Sequence, residues 1–119
     1  MKSKRINNTD AAIESVKSQL IYLQDVAAAS NITLIPKQLR TFETYIRQII
    51  LWNRKTNLIA RSDIQRIAKR HIYESLLLTK AADMSGAIRV LDIGSGAGMP
   101  GIPLNIWNPD IELTIFESN

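Results

Sequence analysis

Apolar residues recur every three or four positions over the first two thirds of the chain, then crowd into short runs. Ile13, Val16, Leu20, Leu23 and Val26/Ala27 predict a helix over about 9–28, capped by Asn8 or Thr9 and broken by Ser30-Asn31. A second helix opens near Pro36, a favoured first-turn residue because its missing N–H would be unpaired there anyway. It carries Leu39, Phe42, Ile46, Ile49 and Ile50 to Trp52. A third begins after Ser62-Asp63, carries Ile64, Ile67, Ala68, His71 and Ile72, then Leu76 to Leu78, and ends at Met84-Ser85-Gly86.

The period changes at Ile88. Residues 88–93 are a short, mostly apolar run, which predicts a central strand buried on both faces. A short helix over 102–107, a turn at Asn108-Pro109-Asp110 and a strand over 112–116 follow. Strand–helix–strand implies a right-handed parallel crossover. Two parallel strands do not make a stable sheet alone, and only two residues follow Glu117, so the pattern predicts a fold stopped in mid-sheet. The predicted division is a helical region over 1–85 and the start of an α/β domain over 86–119.

Length and apolar content suit one globular unit with a core. With no Cys there is no disulfide, thiolate nucleophile, iron–sulfur cluster or thiolate zinc site, and His71 is the sole histidine, so a multi-His metal site is excluded. The basic start, Met1-Lys2-Ser3-Lys4-Arg5, leads into polar Asn7-Asn8-Thr9-Asp10 rather than an apolar stretch, unlike a signal peptide. No apolar run approaches the roughly 18 residues of a membrane helix, and the expectation is a soluble, cytoplasmic protein. Charge is unevenly placed: residues 1–80 hold 14 Lys/Arg against 6 Asp/Glu, and residues 81–119 hold 1 against 5. A basic front suits a polyanion and an acidic back suits a ligand with positive charge, although solvated helices also carry Lys and Arg.

The candidate chemistry lies at Asp92-Ile93-Gly94-Ser95-Gly96-Ala97-Gly98-Met99-Pro100-Gly101, a strand tip, a glycine turn and a helix start. Glu117, at the end of the next strand, stands about 20 positions on, where nucleotide-type α/β folds place an acidic ribose anchor. A P-loop is excluded because no Gly-Lys-Ser/Thr follows. A dinucleotide fingerprint fits from Gly96 (with Gly98 and Gly101) but fails from Gly94, where Met99 takes a glycine position. Asp92 at the strand tip would crowd a pyrophosphate yet favour S-adenosylmethionine, a cation at its ammonium and sulfonium. In that reading Gly94 and Gly96 let the backbone approach the methionine part of the ligand, Gly98 belongs to the same cofactor-binding turn, Met99 lays an apolar side chain on the ligand, and Glu117 accepts from both ribose hydroxyls. The plain structural alternative is a tight turn with Asp92 capping the next helix.

Three motifs together resemble one family: Trp52-Asn53-Arg54-Lys55-Thr56-Asn57-Leu58, Arg70-His71-Ile72-Tyr73-Glu74-Ser75-Leu76, and Asp92 through Leu104. The chain is similar, from about Leu34 to Asn119, to the small-subunit ribosomal RNA guanine-N7 methyltransferases, also called glucose-inhibited division protein B. The resemblance implies an α/β, Rossmann-like S-adenosylmethionine-dependent methyltransferase fold preceded by a helical region. It also implies 16S ribosomal RNA as substrate, S-adenosylmethionine as methyl donor, a monomer at full length, and cofactor contacts at Gly94 and Met99. Glu74, Ile59 and Met99 depart mildly from the family's usual residues. The family continues past Glu117-Ser118 with a basic pair and further strands, so catalysis by these residues alone is not implied.

Guanine N7 carries a free lone pair and no proton, so methylation there needs placement rather than a general base, and no catalytic side chain is expected. Arg54, Lys55, Arg61, Arg66, Lys69 and Arg70 form the densest basic stretch and are the candidates for RNA phosphate contacts. His71 reads as a structural hydrogen-bonding residue or, alternatively, as part of a pocket lining. Trp52 reads as packing the helical region onto the sheet, and Asn53 and Asn57 as ending the second helix in left-handed geometry. The competing functions are a non-catalytic RNA-binding or interaction remnant and a dinucleotide-dependent oxidoreductase.

Overall fold

The computed structural model of the chain describes residues 8–94 and 96–116. In order these form α1 (Asn8–Glu14), α2 (Val16–Ala29), α3 (Pro36–Trp52), a 3-10 segment (Arg61–Arg66), a π segment (Ala68–Ile72), α4 (Tyr73–Leu76), α5 (Leu78–Ala81), β1 (Arg89–Ile93), α6 (Gly101–Trp107) and β2 (Glu112–Phe116). The predicted first helix is therefore two. The break falls at Ser15, whose hydroxyl donates to the Ala12 carbonyl at 2.6 Å, the kind of local side-chain bond that competes with the helical ladder. α2 ends where Asn31 turns left-handed at φ 61°, the only described non-glycine residue with positive φ. α3 matches its expected span, with Pro36 in its first turn.

The predicted third helix is wound at three pitches, and the cause is one buried amide. Gln19 of α2, only 5% exposed, donates from Nε2 to the Ile64 carbonyl at 3.3 Å and accepts at Oε1 from the Ala68 N–H at 2.9 Å. Ile64 and Ala68 are the i and i+4 partners that an α-helix would join directly. The Gln19 side chain stands between them, and inserting a polar group into the ladder forces a local change of winding. The chain passes from 3-10 to π there, then back to α.

The core lies among the helices. Val16, Leu23 and Ala27 of α2 meet Phe42, Ile46, Ile49 and Ile50 of α3, closed by Ile67, Ile72 and Leu76. α6 packs against α3 and α4 on one side and against both strands on the other, forming the layer between helices and sheet. Gln38 ties that joint: its Oε1 accepts from the Ile35 N–H at 2.8 Å, and its Nε2 donates to the Trp107 carbonyl at 2.8 Å. Asn108 holds the far end, donating to the Met84 and Gly86 carbonyls, each at 2.9 Å.

β1 and β2 pair in parallel, with Val90 opposite Leu113 and Asp92 opposite Ile115. The strand over 88–93 was expected to be buried on both faces; among the described residues it is covered on one only. Asp92 turns toward α6, whereas Leu91, Ile93 and Phe116 are 62%, 68% and 59% exposed. Side chains alternate across a strand, and no described element lies on the second face.

Candidate functional site

β1 delivers the chain into a turn where Gly94, Gly96 and Gly98 take φ values of 67°, 63° and 84°. Only glycine enters that region without strain. The surroundings of the three differ. A Cβ at Gly94 would meet nothing within 4 Å among the described residues, whereas one at Gly96 would touch the Leu58 carbonyl at 3.6 Å, an ordinary van der Waals contact. At Gly98 a Cβ would run into the Ile102 side chain. Gly101 serves a fourth purpose: a Cβ there would stand 2.7 Å from Asp92 Oδ2 and 2.8 Å from Leu113 Cδ1, so its bareness lets α6 sit close on the sheet.

Asp92 is 7% exposed, and its Oδ2 accepts from the Gly101 N–H at 2.8 Å. The carboxylate thus holds the start of α6, as the structural alternative for this residue foresees. Its charge remains just beneath the glycine turn. From the helical side, Tyr45 of α3 donates its hydroxyl to the Ala97 carbonyl at 2.7 Å. Burial pushes the Tyr45 phenol well above the usual tyrosine range, and the negative charge of Asp92 adds to the rise. The sequence reading missed Tyr45. The signal available was its place beside the apolar stripe of α3, where a buried tyrosine needs a partner for its hydroxyl. Ala97 and Met99 are partly buried against the helical core, so the turn is held from both sides. Glu117 lies outside the described residues.

The Trp52–Leu58 motif forms the neighbouring loop. Asn53 keeps helical geometry (φ −65°), contrary to the left-handed expectation for it. Its Oδ1 instead accepts from the N–H groups of Leu58 at 2.7 Å and Ile59 at 3.0 Å, clamping the loop so that Leu58 abuts Gly96. The expectation for Trp52 is also overturned: it is 56% exposed, and Trp107 of α6 is the tryptophan that packs on the helical core. Lys55 Nζ lies 5.7 Å from the centre of the Trp52 ring.

All six candidate RNA-contacting residues are exposed. Arg54 and Lys55 line a groove with Gln48, Leu51 and Trp52. Arg61 and Arg66 share a second cleft, and Arg66 and Lys69 a third. Arg66 is tied to Asp63 at 3.3 Å, whereas among the described residues no ion pair engages Arg54, Lys55, Arg61, Lys69 or Arg70. His71 Nε2 lies 3.2 Å from Asp63 Oδ2, a structural link back to the 3-10 segment. Among the described residues no three His, Asp or Glu side chains could hold a metal ion, and no helix is long and apolar enough to cross a membrane.

A parallel strand–helix–strand unit with an open glycine turn at the strand tip is the framework of a nucleotide-type α/β ligand site. The sequence model described as "GidB: rRNA small subunit methyltransferase G" matches residues 38–119, and the chain belongs to that family. Proteins named ribosomal RNA small subunit methyltransferase G are its curated relatives. The one from Moorella thermoacetica is 40% identical over 89 residues, 75% of this chain and 37% of the relative. That from Streptococcus agalactiae serotype Ia is 44% identical over 90 residues (74% and 38%). That from Bacillus pumilus is 40% identical over 88 residues (74% and 37%). The match thus spans under two fifths of these relatives' length.

Proposed function

We propose that this chain is the N-terminal part of an S-adenosylmethionine-dependent methyltransferase acting on guanine N7 of 16S ribosomal RNA. Residues 1–85 are the helical region, and 86–119 open a Rossmann-like methyltransferase domain. One observation carries the reading: Gly94 and Gly96 hold left-handed backbone just past the tip of β1, with open space over Gly94, in a member of a family named for ribosomal RNA methylation.

The residues present suit the cofactor. Gly94 and Gly96 give its methionine part close access to main chain, and Gly98 shapes the turn against Ile102. Asp92 places negative charge beneath a cationic ligand while its Oδ2 fixes Gly101. Met99 offers an apolar contact, and Glu117 binds the ribose hydroxyls. S-adenosylmethionine supplies, when bound, a methyl group made electrophilic by a sulfonium. N7 of guanine needs no base to remove a proton, so the protein's work is alignment of the base and exclusion of water. Exposed Arg54, Lys55, Arg61, Arg66, Lys69 and Arg70 neutralise RNA phosphates and set the approach of the substrate.

The test uses the full-length gene product, methyl-labelled S-adenosylmethionine and 16S ribosomal RNA from cells lacking the modification. Label is expected in 7-methylguanosine after nuclease digestion. Label in another nucleoside would overturn the guanine N7 assignment. RNA binding without any transferred label would instead favour the non-catalytic reading.

A further inference from the structure

We infer that the groove around Trp52 is a subsite for an unpaired RNA base, with the indole as its stacking surface. The inference rests on the RNA-facing reading above and gives that reading a specific place. Trp52 ends α3 and stands 56% exposed, beside Leu51 at 43%. Large apolar side chains at this exposure call for a cover, and the groove indicates which kind. It has a volume of about 480 Å³, is lined by Gln48, Leu51, Trp52, Arg54 and Lys55, and among the described residues contains no carboxylate. Both of its cations are exposed and, among the described residues, outside any ion pair.

A planar aromatic ring beside two cations matches a nucleotide, whose base stacks while its phosphate is neutralised. The base must be unpaired, because within a duplex both of its faces are taken by neighbouring pairs. Lys55 at 5.7 Å from the ring centre already occupies this ring environment with a cation. A stacked base would share the ring with it, leaving Arg54 for the backbone. Position supports the assignment as well. The loop that starts with these cations is clamped by Asn53 and reaches the glycine turn through Leu58, beside Gly96. An RNA base on Trp52 is therefore held by the same loop that borders the candidate methyl-donor site.

The experiment measures binding of the full-length gene product to a labelled single-stranded oligoribonucleotide of about ten residues and to the same sequence as a duplex. Trp52→Ala is expected to weaken single-strand binding roughly tenfold, with duplex binding unchanged, and Trp52→Phe to stay within about threefold of the parent. The Arg54→Ala/Lys55→Ala double variant should flatten the salt dependence by about 1.4 in log–log slope, two single-strand phosphate contacts. Because Trp52→Ala can also perturb folding, quenching of tryptophan emission by the single strand is compared between the parent and Trp52→Phe, the difference reporting Trp52 alone; the single strand should quench that component. Unchanged single-strand affinity in Trp52→Ala, or unquenched emission as expected if another protein segment covers the ring, overturns the stacking site. With a flattened salt slope, that result would leave the RNA-facing reading standing. Absence of any RNA binding by the parent protein would sink both.

Discussion

The helices and the strands of this chain solve burial differently. Across α1 to α4 the apolar residues close on one another: Val16, Leu23, Phe42, Ile46 and Ile72 are all fully buried. In the sheet, Leu91, Ile93 and Phe116 leave one face open, although those residues are as apolar as any in the core. The difference is one of geometry. A helix carries one apolar stripe, and α2, α3 and α4 can satisfy theirs mutually. A parallel strand has two apolar faces and needs a layer on each. The glycine turn sits at the boundary, rooted by Tyr45 in the helices and by Asp92 in the sheet.

The largest effect is expected at Phe42. Phe42→Ala removes a fully buried ring and should cost about 3–5 kcal/mol, a large fall in the chain's thermal midpoint. Phe116→Ser, on the open face, should shift the same midpoint by under about 0.5 kcal/mol equivalent. Equal losses in the two variants would mean that the sheet face is covered in solution.

A smaller effect is expected at the joint. Tyr45→Phe deletes the hydroxyl that holds Ala97 and should cost about 1 kcal/mol near pH 8, with a larger relative loss in cofactor retention. The pH dependence has a definite sign. Burial and Asp92 raise the folded phenol above its unfolded value, so the neutral form is favoured in the fold. The associated stability is fully present below the ordinary tyrosine value of about 10 and declines as pH rises past it. The melting difference between parent and Tyr45→Phe should therefore narrow between pH 8 and pH 10.5. A constant gap would show that the phenol is not held neutral by the fold.

Much of this arrangement was legible in the sequence, and what was not has identifiable causes. α3, α6 and β2 follow directly from the spacing of Phe42 to Ile50, from Pro100 and Pro103, and from the run at 112–116. The change of winding at Ala68 could not be read, because it depends on Gln19, 49 residues earlier in the chain. Periodicity reports a residue's own helix and not a side chain inserted from another. Trp52 was misread for a related reason: an aromatic at a helix end packs or projects according to what stands opposite, and Trp107 holds the inner position. Asn53 carries a turn-forming residue's signature, yet its side chain, rather than its backbone, shapes the loop. The glycine motif was legible as a turn, while the division of labour among Gly94, Gly96, Gly98 and Gly101 depends on neighbours brought in from elsewhere in the chain, Leu58 and Leu113 among them.

The most direct measurement of the central claim is equilibrium dialysis of the full-length gene product against labelled S-adenosylmethionine and, separately, NAD. Retention of S-adenosylmethionine alone is expected, lost when Gly96→Val strains the left-handed turn and crowds the Leu58 carbonyl. Retention of NAD, or retention of S-adenosylmethionine undiminished in Gly96→Val, would contradict that claim.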